Sequence, residues 1–338
     1  MTKYKRGHDR DELLADVAEM YYEEELTQAE ISRRIGMTRS AISRMLTEAR
    51  HKGIVEIVVH RPLRFDAGLE TALVERFNLQ NANVLTWQQQ GGQYDRLRYR
   101  LGRVAAQVLR DLLRPRMVLG VAWGTTVSAT IEALSVPEPI PMDVVQLVGV
   151  LGSSSHAFNA QALVAMLSVK VGGEGTYLYS PFIVENADTA RSILKIPNVR
   201  EAIALGARCD VALLGIGTLL DADYSSLYQG GHISRAMLQE LMDAGAVGDV
   251  SGRHFDVYGE RTPTDFHDRL VGIARDDLLA IPTRLGVAGD VAKAPAILGA
   301  LRGGYINMLV TDSSTAEALL QLDGEQVVVN NQQLTINR

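Results

Sequence analysis

Residues 27–52 read TQAEISRRIGMTRSAISRMLTEARHK, a pattern typical of two short helices joined by a tight turn. Thr27 and Glu30 have the spacing of a capping box, in which each side chain bonds the backbone N–H of the other residue. Gly36 lies where the turn needs a residue that tolerates a positive φ, and Thr38 is a suitable N-cap for the second helix. The stretch therefore predicts a helix-turn-helix.

One face of the predicted second helix carries basic and hydroxyl side chains at spacings of three and four residues. When such a helix enters the major groove of DNA, arginine can pair with guanine, and hydroxyl groups can reach bases or phosphates. The first helix should cross the DNA backbone, where an amide or a hydroxyl could bind phosphate. The candidate DNA-binding residues are Gln28, Thr38, Arg39, Ser40, Ser43 and Arg44.

The alternative is an ordinary αα-hairpin with a solvated basic face. Residues 33–52 hold six Lys or Arg residues and one acid, Glu48, a local net charge of +5 in a chain whose net charge is −6. Such a local excess is the electrostatic footprint of a nucleic-acid surface. Gly53 then ends the helix, and residues 54–59 (IVEIVV) have the composition of a β-strand. Together these features favour DNA binding and predict a winged helix-turn-helix.

The composition is that of a soluble globular chain, with 46% hydrophobic and 22% charged residues among 338, for which two domains are expected. We predict a DNA-binding domain at 1–60 and an effector-binding and oligomerisation domain at 61–338. The single cysteine, Cys209, excludes an intrachain disulfide, and no apolar run has the length of a membrane span. The charged N-terminus does not resemble a signal peptide, so we expect a cytoplasmic protein.

Beyond residue 117, apolar runs alternate with helical segments, as in a parallel sheet that is covered on both faces. This pattern predicts a Rossmann-like, doubly wound, mostly parallel α/β domain. Before it, helices at 69–77 and 94–113 and a strand at 84–87 could link the domains or pair subunits. The candidate strands of the sheet are 117–123, 143–148, 176–179, 210–214, 278–281, 284–288 and 306–310.

Three polar segments could bind a small effector. Gly124-Thr125-Thr126 follows a strand and opens a helix, where N–H groups and hydroxyls can hold an anion or a polyol, although a turn with a cap has the same pattern. Lys293 falls in the first turn of a helix that Asp290 could cap, and the helix dipole disfavours a cation there unless an anion is bound. The alternative is a solvated lysine. Asp249 could accept sugar hydroxyls or cap a turn.

With these pieces in this order, nearly the whole chain resembles the SorC family of sugar-responsive bacterial transcriptional regulators. The resemblance implies a dimer or tetramer whose Rossmann-like domain, similar to sugar-phosphate isomerases, binds a sugar or sugar phosphate and alters operator affinity. The motifs that carry it are LTQAEISRRIG at 26–36, SAISR at 40–44, VAWGTT at 121–126, LGIG at 214–217, GAVGD at 245–249, GVAG at 286–289 and KA at 293–294.

The resemblance also assigns roles to the polar segments. It implies that Gly124, Thr125 and Thr126 hold the effector's phosphate or terminal oxygen, that Asp249 binds hydroxyls, and that Lys293 belongs to the same site. The chain departs from the family at 149–156, where GVLGSSSH stands in place of a Gly-Gly pair followed by a basic residue. This departure leaves a neutral sugar or polyol open as the effector.

These observations predict a DNA-binding regulator of a carbohydrate-utilisation operon, whose partners are operator DNA, the effector and further copies of itself, without a cofactor or metal. The alternative is a sugar-phosphate isomerase or deaminase with an appended DNA-binding domain. An isomerase needs a general base, for which Asp249 could serve. The sequence has no zinc-type Cys/His spacing and no G-x-S-x-G turn. The histidines that could act in such an enzyme are His156, His232, His254 and His267.

Overall fold

The computed structural model describes residues 10–55, 62–87, 94–151, 159–220, 226–229, 231–324, 326–330 and 333–337. The chain divides into two compact units, Met1–Pro62 and Leu63–Arg338. None of the helices in these described ranges is both long enough and apolar enough to cross a membrane.

The smaller unit contains three helices, α1 at Arg10–Tyr22, α2 at Gln28–Ile35 and α3 at Arg39–His51. The predicted helix-turn-helix is confirmed in α2 and α3. The spacing of Ala29, Ile31, Ile35, Ile42 and Leu46 predicts that these residues pack the two helices together, but Ala29 is exposed. The strand predicted at 54–59 lies outside the described residues from position 56 onward. The apolar interior of this unit is formed by Leu14, Val17, Ala18, Met20, Ile31, Ile42, Met45, Leu46 and Ala49.

The larger unit is built on a seven-stranded sheet in which every pair of neighbours is parallel, which confirms the predicted fold class. The strands of this sheet are β1 Asn81–Leu85, β2 Val118–Val121, β3 Asp143–Gln146, β4 Glu174–Thr176, β5 Val211–Gly215, β9 Thr283–Val287 and β10 Met308–Asp312. They follow the spatial order β1-β10-β9-β5-β2-β3-β4. The smaller sheets hold β6 Gly217–Thr218, β7 Gly248–Val250 and β8 Arg253–Phe255, and β11 Gln326–Asn330 and β12 Gln333–Asn337.

Helices cover both faces of the seven-stranded sheet. Val144 and Val145, adjacent on β3, belong to two different apolar clusters, because successive side chains of a strand point to opposite faces. The helices are α4 Ala67–Phe77, α5 Tyr94–Leu112, α6 Thr125–Ala133, α7 Ala160–Val171, α8 Ala187–Ile193, α9 Pro197–Gly206, α10 Ser226–Gln229, α11 Arg235–Asp243, α12 Arg275–Ala280, α13 Ala294–Arg302 and α14 Ser313–Asp323, with 3-10 turns at Asp265–Arg269 and Val291–Lys293.

Two predicted strands differ from the structure, and the one predicted at 176–179 overlaps β4 only at Thr176. The apolar run at 278–281 is the end of α12 rather than a strand, and acidic residues in the first turn of that helix suit its positive end. Helix α5, for which the sequence predicts a role in linking the domains or pairing subunits, packs on the sheet beside α6. A Cβ placed on Gly102 of α5 would stand 2.6 Å from the backbone carbon of Ala129, so the two helices approach closely.

The strand order places a crevice at the centre of the sheet. Strand β2 lies between β3 and β5, so the chain leaves β2 toward one edge and later returns to build the other side. In open α/β sheets, ligands bind outside the carboxyl ends of the strands at such a switch point. The carboxyl ends of β2 and β5 are therefore the expected position of a ligand site.

Candidate functional site

A cleft opens at this switch point. Its walls contain all five effector-binding candidates from the sequence together with neighbours from β5 and the β7–β8 hairpin. The lining residues are Trp123, Gly124, Thr125, Thr126, Gly215, Ile216, Gly217, Asp249, Ser251 and Lys293.

The segment after β2 presents a helix N-terminus to the cleft. Gly124 is the N-cap of α6 and has a φ of 145°, in the region that favours glycine, so α6 has no side-chain cap. The N–H groups of an uncapped first turn are available to an anion. The Thr126 hydroxyl donates to the Val287 carbonyl at 2.7 Å, which fixes the start of α6 against the end of β9. Thr125 is half-buried at the cleft.

Asp249 places a buried carboxyl group in the cleft, where it can act as a hydrogen-bond acceptor. It lies on β7, opposite Gly217 of β6, and a Cβ at Gly217 would stand 2.1 Å from its Oδ1. The Gly252 N–H donates to its Oδ2 at 2.9 Å. Burial raises the pKa of Asp249 to about 6, although the Gly252 bond and the charge of Lys293 oppose the increase. This carboxyl can accept hydrogen bonds from hydroxyls when ionised and exchange a proton near neutral pH.

Lys293 brings an ammonium group to the same cleft although it is itself buried. Asp290 adopts a φ of 88° and caps the short 3-10 helix by accepting from the Ala292 N–H at 3.1 Å, as the sequence suggested. The Lys293 ammonium donates to the Tyr94 hydroxyl at 2.9 Å and to the Ile216 carbonyl at 3.5 Å. Among the residues that the structure describes, no carboxylate forms an ion pair with Lys293.

Sequence reasoning missed three side chains of this region. Tyr94 reaches Lys293 across 199 positions of the chain, for which the sequence offered no signal. Ser251 has a φ of 55°, and the Ser-Gly dipeptide that it begins is a turn signal that could have been noticed. The Ser251 hydroxyl and the Trp123 indole N–H are buried and have no hydrogen-bond partner among the described residues.

Of the histidines that the enzyme alternative left open, the three that the structure describes do not line the cleft. His254 and His267 are buried, and burial lowers their pKa values to about 3 and about 4, so both are neutral at pH 7. His232 lines a separate cavity beside Phe182. His156 lies outside the described residues. Within the described residues, no cluster of three or more His, Cys, Asp or Glu side chains could hold a metal ion.

The smaller unit forms the candidate DNA interface. Thr38 caps α3 through the Ala41 N–H at 3.2 Å, while Gln28 is half-buried at the start of α2. Four of the candidate DNA-binding side chains are exposed on α3, namely Arg39, Ser40, Ser43 and Arg44. Glu48 is the single acid of the basic stretch. It forms a salt bridge of 2.6 Å with Arg10 of α1, which offsets its negative charge.

Both units match known families. The family described as "Putative sugar-binding domain" matches residues 61–321, and the family described as "Sigma-70, region 4" matches residues 12–52. The transcriptional regulator LsrR of Escherichia coli strain K12 is 35% identical over 324 residues, which cover 94% of this chain and 97% of LsrR. LsrR of Enterobacter sp. strain 638 is also 35% identical, over 93% of this chain and 94% of its own length.

Solved structures agree with this assignment. The full-length sorbitol operon regulator SorC of Klebsiella pneumoniae has a TM-score of 0.69 and 27% identity, and the match covers 93% of this chain and 100% of that chain. A transcriptional regulator of Streptococcus pneumoniae has a TM-score of 0.68 and 26% identity over 76% of this chain and 97% of its own. This chain therefore belongs to the SorC family of DNA-binding transcriptional regulators that carry a sugar-binding domain.

Proposed function

We propose that this regulator binds a phosphorylated sugar or polyol in the cleft at the sheet's switch point and that this effector changes its affinity for the operator of a carbohydrate-utilisation operon. The family supplies the two activities, DNA binding and sugar binding. The cleft offers hydrogen-bond donors that suit a phosphate, namely the Lys293 ammonium and the N–H groups at the start of α6. It also offers the Asp249 carboxyl, which suits the hydroxyls of a carbohydrate.

The observation that carries the proposal is the buried ammonium of Lys293. A buried charge is costly unless an opposite charge compensates it, and the described residues offer Lys293 a hydroxyl, a carbonyl and the nearby charge of Asp249, but no ion pair. It shares the cleft with the uncapped N-terminus of α6, which also favours an anion. A phosphate bound between Lys293 and Gly124-Thr125-Thr126 would compensate both groups. Asp249 would then accept the hydroxyls of the carbohydrate.

We assign operator contacts to two helices. Arg39, Ser40, Ser43 and Arg44 would reach base edges and phosphates from α3, and Gln28 and Thr38 would bind phosphates at the start of the helices. Helix-turn-helix proteins usually bind two half-sites as a two-fold dimer. We therefore also propose that the chain acts as a homodimer or homotetramer, in which residues beyond 60 join the copies.

The effector site is tested by thermal-shift measurements with pairs of neutral and phosphorylated compounds, namely ribose with ribose 5-phosphate and glucitol with glucitol 6-phosphate. A compound that binds the folded state raises the melting temperature. We expect the phosphorylated member of a pair to give the larger shift, and Lys293→Ala and Asp249→Ala each to abolish it. Lys195→Ala, at an exposed lysine, is the matched control. Equal shifts for the two members of each pair would contradict phosphate recognition.

The same variants test the link between the effector and DNA. An effector changes operator affinity only through its different affinities for the two states of the protein. Lys293→Ala and Asp249→Ala should therefore abolish the response of operator binding to the effector, while affinity in its absence stays near that of the wild type. A normal response in both variants would place the effector elsewhere.

One observation favours a second candidate function. Asp249 has a pKa of about 6, which is suited to a general base in a sugar-phosphate isomerase. Incubation with ribose 5-phosphate and with fructose 6-phosphate, followed by NMR, separates the two functions. Appearance of the isomerised sugar would identify an enzyme, whereas saturable changes in the spectrum without turnover would support the regulator.

A further inference from the structure

We propose that the N-terminal turns of α5 are part of the effector site, in which Tyr94 positions the ammonium of Lys293 and Arg98 positions the Gly124–Thr126 segment. The inference rests on the proposed function, since it concerns the same cleft. Neither side chain lines the cleft itself. Tyr94 acts through Lys293 and Arg98 acts through Thr125, and both Lys293 and Thr125 line the cleft.

Tyr94 holds Lys293 in two ways. Its hydroxyl accepts from the ammonium at 2.9 Å, and the ammonium lies 5.3 Å from the centre of its ring, within the range of a cation–π interaction. A lysine ammonium has three donors. Among the described residues, Tyr94 and the Ile216 carbonyl accept from two of them, so the third donor is the one we assign to a molecule in the cleft. The ammonium is thus held at the cleft wall with a donor available to an anion.

Arg98 holds the Gly124–Thr126 segment, the second part of the proposed anion site. Its guanidinium donates to the Thr125 carbonyl at 3.4 Å and to the Asp95 carboxylate at 3.2 Å. The side chain is 23% exposed, so most of it is packed against the protein. Since Thr125 is the first residue of α6, this bond ties the anion-binding end of α6 to α5.

One helix therefore fixes two cleft segments that are far apart in sequence. Tyr94 and Arg98 are four residues apart, so they lie on the same face of α5, one turn from each other. The close approach of Gly102 to Ala129 joins α5 to α6 further along. A ligand that draws Lys293 and the start of α6 together must therefore act on the same two turns of α5. These turns set the spacing between the two groups that would bind the anion.

The test measures binding of inorganic phosphate by calorimetry to the full chain and to variants. We expect Tyr94→Phe, which keeps the ring and removes only the hydroxyl, to weaken phosphate binding roughly 5- to 20-fold. Lys293→Met should weaken it further, and the double variant should bind no more weakly than Lys293→Met alone, because Tyr94 acts through Lys293. Arg98→Gln should also weaken binding. Tyr99→Phe, at another tyrosine of α5, is the matched control.

The outcomes separate this inference from the proposed function. A wild-type chain that binds no phosphate at tens of millimolar would overturn both. If the wild type binds phosphate and Lys293→Met weakens that binding while Tyr94→Phe does not, the inference is wrong and the proposed function stands. A change in the urea unfolding free energy of Tyr94→Phe without a change in phosphate affinity would show a purely structural role and would likewise overturn it.

Discussion

Replacing Asp249 with asparagine should stabilise the larger unit, and the gain should grow as the pH rises. The carboxyl has a pKa of about 6 in the folded chain, against an ordinary value of 3.8. A group whose folded pKa is raised binds its proton more tightly in the folded state, so folding becomes less favourable once the unfolded chain has lost that proton. The penalty therefore begins near pH 4, increases up to about pH 6 and is constant above it.

The size of the effect follows from the two pKa values. At 1.36 kcal/mol per unit, the penalty is about 1.5 kcal/mol at pH 5 and about 3 kcal/mol at pH 8. Asparagine carries no charge, and its carbonyl can still accept from the Gly252 N–H. Its buried NH₂ group would need a partner, at a cost of about 1 kcal/mol. The net gain should therefore be close to zero at pH 5 and about 2 kcal/mol at pH 8.

Urea unfolding followed by tryptophan fluorescence measures this difference. Trp87 and Trp123 are the two tryptophans of the sequence, and both belong to the larger unit, so the signal reports that unit. Asp111→Asn, at an exposed carboxylate, is the control and should change the unfolding free energy by less than about 0.5 kcal/mol at both pH values. A loss of stability in Asp249→Asn that is equal at pH 5 and pH 8 would refute the reasoning, because the burial penalty would then be absent.

Three further predictions concern the other parts of the chain. Arg44→Ala should weaken operator binding by about 1–3 kcal/mol in gel-shift titrations if it contacts a base, whereas Arg235→Ala, at an exposed arginine of the larger unit, should not. Gly217→Ala would place a Cβ 2.1 Å from the Asp249 carboxylate, so the effector-induced thermal shift should disappear; Gly324→Ala, which meets only ordinary contacts, should keep it. The full chain should sediment as a dimer or larger at micromolar concentration, and the isolated DNA-binding unit should bind operator far more weakly because it has lost bivalency.

The helix-turn-helix could be predicted in detail because its signals are local. Thr27 and Glu30 form both bonds of the capping box, Gly36 adopts a φ of 79°, and Thr38 caps the second helix. Each of these depends on residues within four positions of one another. The hydrogen bonds of a helix end require only neighbouring residues, so the sequence alone specifies them.

The sheet could be predicted as a class but not as an arrangement. Apolar runs that alternate with helices indicate parallel strands. The sequence of one strand, however, does not determine which strands are its neighbours in the sheet. The run at 278–281 shows the limit of the pattern, because a short apolar segment fits a buried strand or a buried helix equally well. The order that places β5 beside β2 depends on the packing of the whole chain, and this order creates the cleft.

The candidate site could be predicted in part for the same reason. Gly124, Asp249 and Lys293 each lie beside a strand end or a turn, which is visible in sequence. Tyr94 is the first residue of a helix, and its hydroxyl reaches Lys293 only because α5 packs on the sheet. Ser251 begins a Ser-Gly turn signal, but the burial of its hydroxyl, which has no hydrogen-bond partner among the described residues, depends on how the chain packs.

Several departures from ordinary folding rules lie around the cleft. Asp290 and Ser251 have positive φ values without being glycine, Asp249 and Lys293 are buried ionisable groups, and the Trp123 indole N–H lacks a partner among the described residues. Each of these features costs free energy. A bound molecule that pairs with these groups would offset part of that cost, and only in the conformation that brings the groups together. As we propose, an effector that pairs with these groups in one conformation would thereby select that conformation of the regulator over another.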